Sequence, residues 1–255
     1  MGFHHLDHYA GTASPVTRTS PAARVVGAVG LALCASLVPP GAWTAMAAIL
    51  ALSLAVAVAA RIPAGVLLVR ASVPLGFLVL ASAGVLVMAP GTGVAGLGPL
   101  SVTDRGVVLF ASALGRGASA VVAGVVLVST TPFPELVTAL RELRLPRAVT
   151  SSLALAYRFL VVLGEDVARI RRAAQVRNGG RGRVARRHLA AGMAAAAFAR
   201  SYDRSERVFR AMRVRGYGDA MPTLAYQRMD RASALRVASL LAVGATLVVA
   251  ARVVP

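Results

Sequence analysis

The sequence predicts an all-α, polytopic helical membrane protein of about five spans, with long cytoplasmic helices between the fourth span and the last. Three observations predict it. Hydrophobic residues make up 57% of the 255, and the mean hydropathy is +0.69. No charged side chain occurs from Val25 to Ala60. Charge is instead gathered in one stretch, with 21 of the 28 arginines between Phe133 and Arg236.

The uncharged stretch exceeds the roughly 20 residues that one helical span requires. It breaks at Pro39-Pro40-Gly41, where a helix cannot continue, and so reads as two spans. The apolar blocks are Val25–Val38, Ala42–Ala60, Ala71–Ala89, Gly106–Ser129 and Val237–Ala251. The first and last are short. They reach spanning length by running into flanking turns, with Arg24 and Arg236 snorkelling to the headgroups. Residues 1–23 then form an N-terminal tail, 24–132 a membrane domain of four spans, 133–234 a coupling domain and 235–255 the final span.

Arg116 interrupts the fourth block near its middle. A charge at that depth costs at least about 2.5 kcal/mol on insertion scales. It is expected to face the bundle interior or a partner subunit in a structural pairing role. The flanking Gly115 and Gly117 would let another helix approach closely. Orientation follows from the arginines: the tail, the second connection (Arg61, Arg70) and the long fourth connection are basic, whereas Pro39–Gly41 and Pro90–Arg105 carry only Arg105. The positive-inside bias places the basic segments in the cytoplasm of a cell membrane.

Composition also excludes chemistry. Every basic residue is arginine, so neither a P-loop lysine, a kinase strand lysine nor a Schiff base is available. Cys34 is the only cysteine and sits in an apolar run, and that count excludes an internal disulfide or a zinc site of the usual cysteine type. His4, His5 and His8 read as a solvated tail rather than a metal site. The start of the chain lacks the pattern of a cleavable leader. No catalytic residue, directly bound cofactor or metal is expected.

The stretch 133–236 is too long for a simple connection. After Leu145-Pro146, the residues Ala156, Leu160, Leu163, Val167, Ile170, Ala174 and Arg177 recur at alternating steps of four and three, one seam of a long helix. Asn178-Gly179-Gly180 ends it. A second helix runs from about Ala190 to Val214, with Phe198, Tyr202, Ser205, Phe209 and Met212 on one face, and it ends at Gly216 and Gly218. The two helix ends are alike, Arg172-Ala173-Ala174-Gln175-Val176-Arg177 against Arg210-Ala211-Met212-Arg213-Val214-Arg215. Two readings fit their arginines. Each guanidinium interacts with the negative end of its own helix dipole, or each anchors in a groove of a partner.

Leu6-Asp7-His8-Tyr9-Ala10, Ser14-Pro15-Val16-Thr17-Arg18, Thr130-Thr131-Pro132-Phe133-Pro134-Glu135-Leu136, Tyr157-Arg158-Phe159 and above all the two arginine-bearing helix ends resemble the T component of energy-coupling factor transporters, the CbiQ/EcfT family. The resemblance implies that Val176, Arg177 and Asn178, and Val214, Arg215 and Gly216, are coupling motifs that dock in two ABC-type ATPases. It implies a small membrane-bound S subunit that binds the substrate, and ATP used only by the partner subunits. Family motifs usually have alanine before the arginine and glycine or serine after it. Valine leads both motifs here and Asn178 follows the first. The N-terminal motif is closer to the cobalt and nickel branch than to the vitamin branch, with the metal held by a different subunit.

Two other classes compete. The permease of an ordinary ABC importer also has spans and a cytoplasmic coupling element, but its Glu-Ala-Ala loop is not found here. A membrane-anchored basic protein binding nucleic acid or anionic lipid would use the 21 arginines set against eight carboxylates in 133–236. No aromatic stacking platform is interleaved with them, so no nucleic-acid partner is expected. A membrane enzyme using Asp203, Glu206 or Asp219 ranks last, because these carboxylates lie among arginines as helix-surface pairs.

Overall fold

In a computed structural model the described residues are 14–88, 93–97, 100–178, 183–217 and 230–253. The first helices follow from the hinge: α1 (Pro21–Leu37) and α2 (Trp43–Ala59) flank Pro39-Pro40-Gly41. Gly41 supplies the left-handed φ of +89° that the turn needs, and its N–H donates to Ser112 Oγ at 3.2 Å. Then come α3 (Ala64–Ala83) and the single turn α4 (Val85–Met88). An antiparallel hairpin follows, β1 (Gly93–Leu97) with β2 (Leu100–Thr103), paired Leu97 to Leu100 and Gly93 to Thr103. It is the one departure from all-α structure among the described residues. Thr103 caps α5 (Asp104–Thr130), accepting from the Gly106 N–H at 3.1 Å. The remaining helices are α6 (Phe133–Glu142), α7 (Arg147–Asn178), α8 (Arg183–Val214) and α9 (Arg231–Val253).

All five expected spans fall on helices: α1, α2, α3, α5 and α9. By length and composition, α3, α5 and α9 are long and apolar enough to cross a membrane, and so is α7 up to Val176. The reading of α7 as a coupling helix did not anticipate this. Six of its eight charges lie from Glu165 onward, which leaves only Arg147 and Arg158 in its more apolar first half. Helices α1 and α2 have 17 residues each, about 25 Å at 1.5 Å per residue, shorter than a hydrocarbon core of about 30 Å.

The chain divides into two compact units, Leu143–Tyr226 and the remainder. In the second, α5 packs against α1, α2 and α3, while α9 packs on α1 and α2. Leu31, Ala35, Val38, Met46, Ile49, Ala123 and Val248 form its main core. Small residues permit these approaches: Gly115 lies against Met46 of α2 and Gly117 beneath Leu78 of α3, as the sequence led us to expect. Cys34 packs on Gly244 of α9, the role of a small apolar residue. The hydroxyls of Ser53, Ser82, Ser112, Ser119 and Thr130 return to carbonyls one turn back in their own helices, so no water is needed in an apolar interior. Leu68, Val69, Val73, Phe77 and Leu80 leave one side of α3 broadly exposed and apolar, a surface suited to lipid.

Arg24 corrects an expectation. Instead of snorkelling outward it turns into the protein, its side chain only 8% exposed. Nη1 donates to the Thr130 carbonyl at 2.5 Å and to Thr131 Oγ1 at 3.2 Å, and Nε donates to the Thr19 carbonyl at 3.1 Å. Free carbonyls at the C-terminus of α5 attract the cation more than headgroups do. Helix α6 belongs to the larger unit, because its Leu136 and Ala139 pack on Ala22 and Val25 of α1.

Candidate coupling surface

The unit Leu143–Tyr226 is built from α7 and α8, which pack on one another. Asp166 of α7 joins them: it accepts from Arg169 on its own helix and pairs with Arg204 of α8 at 3.3 Å. The hydrogen bond from Arg169, aided by Arg204, holds the Asp166 carboxyl below its usual range. Ala174 is buried, as the seam predicts. Leu160 and Val167, expected on the same seam, are each 49% exposed. A seam drawn with strict heptad spacing drifts around a straight helix, so it cannot stay on the contact face along all of α7.

Both predicted motifs end helices of this unit. Val176, Arg177 and Asn178 are the last three residues of α7. The side chains of Arg177 and Asn178, and all of Gly179 and Gly180, lie outside the described residues. Val214 is the last residue of α8, with Arg215 beyond it at the cap position. The end is closed by two bonds, Tyr217 N–H to the Met212 carbonyl and Gly216 N–H to the Arg213 carbonyl, each 3.0 Å. With Gly216 at φ +76°, this is a Schellman cap. Its physical effect is to stop the helix sharply and leave Arg215 at the tip.

The surface around these ends is apolar and open. Val176 and Val214 are 85% and 89% exposed. On α8 the predicted face of Phe198, Tyr202 and Phe209 is exposed, and the Arg213 guanidinium lies 5.8 Å from the centre of the Phe209 ring. Exposed aromatics beside arginines are the composition that protein interfaces use at their anchors.

Arg116 lies in the other unit. Its Nε and Nη2 are buried without a hydrogen-bond partner among the described residues. Among the described residues of that unit the carboxylates are Asp104, Glu135, Glu142 and Asp230. Glu135 is taken by Arg24, and no ion pair joins Arg116 to any of the four. Sequence reasoning missed the Arg24–Glu135 pair. The signal available was Glu135 in the first turn of a helix that begins just after α5 ends. No group of three or more His, Cys, Asp or Glu that could hold a metal occurs among the described residues.

Residues 13–224 match the model of the CbiQ family, described as cobalt transport protein. The chain is 30% identical to the cobalt transport protein CbiQ of Rhodobacter capsulatus over 201 residues, 78% of this chain and 79% of that one. It is 35% identical to the cobalt transport protein CbiQ of Salmonella typhimurium over 80 residues, 31% of this chain and only 36% of that one. With the apolar helices of the larger unit, these matches make it a membrane protein of a transport family. The chain belongs to the CbiQ cobalt transport protein family.

Proposed function

We propose that this chain is the transmembrane coupling subunit of an energy-coupling factor importer for cobalt or nickel. It passes ATP-driven motion from two cytoplasmic ABC-type ATPases to a small substrate-binding S subunit. The observation that carries the reading is a helix pair in its own compact unit, whose α8 ends abruptly at a glycine cap with Arg215 at the tip and exposed Val214 beside it. Such a tip fits an ATPase groove lined by carboxylates and apolar side chains. Arg177 plays the matching part at the end of α7. This chain binds no cofactor of its own, and ATP is consumed by its partners. It acts in the cytoplasmic membrane, with the N-terminal tail and residues 133–234 on the cytoplasmic side.

The exposed face of Phe198, Tyr202 and Phe209 supplies the contact with the S subunit or the membrane surface. A carboxylate from a neighbouring membrane subunit would satisfy the unpartnered Arg116. The test is uptake by the assembled complex. In Arg177→Ala and Arg215→Ala, membrane insertion stays normal while ATPase co-purification and labelled cobalt uptake fall, and the double variant is worst. Normal uptake by the double variant would end the coupling hypothesis. Co-purification of ATPases with a small hydrophobic subunit would support it.

A further inference from the structure

At the basic end of the membrane bundle two cavities share a wall. The inner one, about 230 Å³, is almost wholly apolar and is lined by Gly27, Leu31, Val56, Val126, Val237 and Leu240, among others. The outer one, about 410 Å³, is ringed by Arg18, Arg61 and Arg236, with Ser14 and Pro15. Pro15 and Arg236 line both, so the cationic cup lies directly against the apolar slot. None of the three guanidiniums has a carboxylate within ion-pair distance among the described residues.

Arg61 adds an independent observation. It follows the last turn of α2 with φ +55°, its N–H bonded to the Val58 carbonyl at 2.8 Å and that of Ile62 to the Ala57 carbonyl at 3.3 Å. This is the same cap that closes α8, but here arginine occupies the left-handed position that glycine fills there. A residue with a Cβ is strained at such a position, and strain of that kind marks sites where the side chain is wanted. Here it delivers a third cation to the cup.

We propose that this pair of cavities holds one anionic phospholipid, its phosphate on Arg18, Arg61 and Arg236 and part of one acyl chain between α1, α2, α5 and α9. The slot offers little to ordered water, which needs two to four polar partners, because Thr19, Arg24, Ser53 and Thr130 in its lining are already bonded to carbonyls of the protein. The three guanidiniums are exposed and have no carboxylate partner among the described residues, so together they attract an anion, and phosphate accepts from several at once. A zwitterionic lipid brings its own cation into the cup and is disfavoured. The lipid would tie the N-terminal segment, the end of α2 and the start of α9 together on the side where α5 leads into α6. This inference is independent of the coupling role.

The test is native mass spectrometry of the full chain, with whatever subunits co-purify, in detergent doped with phosphatidylglycerol or phosphatidylcholine. One phosphatidylglycerol should remain bound to the wild type, and phosphatidylcholine should not. Arg61→Gly keeps the cap and removes the charge, and Arg236→Gln removes a second. Each should weaken retention about tenfold, the worth of one charge-assisted hydrogen bond, without lowering the unfolding temperature. Ala28→Leu, which narrows the slot, should also release the lipid. Glycerol phosphate should not compete; if it binds as well as the lipid, the site is a simple anion cup and the proposal fails. Equal retention of both lipids, or full retention by the arginine variants, overturns it. So does a photo-crosslinker at Val237 that captures residues 1–13 or a neighbouring subunit in place of lipid.

Discussion

Arg24 and Glu135 meet at 3.1 Å across the join between α5 and α6, and the same guanidinium caps the last carbonyl of α5. Only the arginine is buried: its side chain is 8% exposed against 44% for the glutamate. The helical turn before α1, the end of α5 and the start of α6 are thereby held by one residue.

Asymmetric burial predicts asymmetric mutants. Arg24→Ala leaves carbonyls and a carboxylate without a partner and should cost about 3 kcal/mol. Glu135→Ala removes a half-wetted partner and should cost about 1 kcal/mol or less. Unfolding temperatures of the two variants in one detergent decide it. Equal losses would mean that the ion pair, rather than the carbonyl cap, carries the join.

The two Schellman caps should answer oppositely to substitution. Gly216→Ala puts a Cβ at φ +76° and should destabilise the end of α8 by about 1 kcal/mol. It should also raise amide exchange at Gly216 and Tyr217 and weaken ATPase docking, leaving the membrane unit untouched. Arg61→Gly relieves the same strain at φ +55° and should stabilise by up to about 1 kcal/mol. A gain at Gly216, or a loss at Arg61, would contradict the assignment of these caps.

Close approach at Gly106 predicts a third result. A Cβ there would meet the Leu86 carbonyl at 2.6 Å, and backbone cannot step aside as a side-chain tip can. Gly106→Ala should therefore cost about 1–3 kcal/mol. Gly76, in α3, has nothing within 4 Å of such a Cβ. Gly76→Ala should be neutral or stabilising by up to about 1 kcal/mol through helix propensity. Thermal unfolding of the pair is the check, and equal behaviour would rule out the close contact.

Glu142 predicts a pH effect. Both carboxylate oxygens are occluded without a hydrogen-bond partner among the described residues, and burial pushes the carboxyl above its ordinary 4.5. The folded chain then holds this proton more tightly than the unfolded one, so the penalty on folding appears as pH rises above 4.5 and is complete above the raised value. Glu142→Gln should raise the unfolding temperature at neutral pH, modestly because the residue is partly wetted, and should change nothing in acid below 4.5. A gain that persists in acid would point to packing instead of charge.

Much of the fold was legible because its signals are local. Uncharged blocks mark spans wherever they occur, and Pro39-Pro40-Gly41 must break a helix in any surroundings. Glycine after Arg215 likewise ends α8 on backbone grounds alone. The length of α8 was underestimated, since Arg183, Arg186 and Arg187 show no apolar periodicity although arginine is a good helix former. The strand pairing of Gly93–Leu97 with Leu100–Thr103 was not foreseen, because glycine-rich segments carry little strand propensity and gain order only from each other.

By itself the sequence determined the membrane class, the five apolar helices, the basic stretch and the arginines that end α7 and α8. These depend on side-chain type and short-range spacing, and solvent or lipid reads them one helix at a time. Tertiary structure decided what the charges of the membrane unit meet. Arg24 found carbonyls of α5, the Nε and Nη2 of Arg116 found no partner among the described residues, and Arg18, Arg61 and Arg236 came together from three separate parts of the chain. The energy of a charge depends on its neighbours and their dielectric, and only the packed bundle sets both.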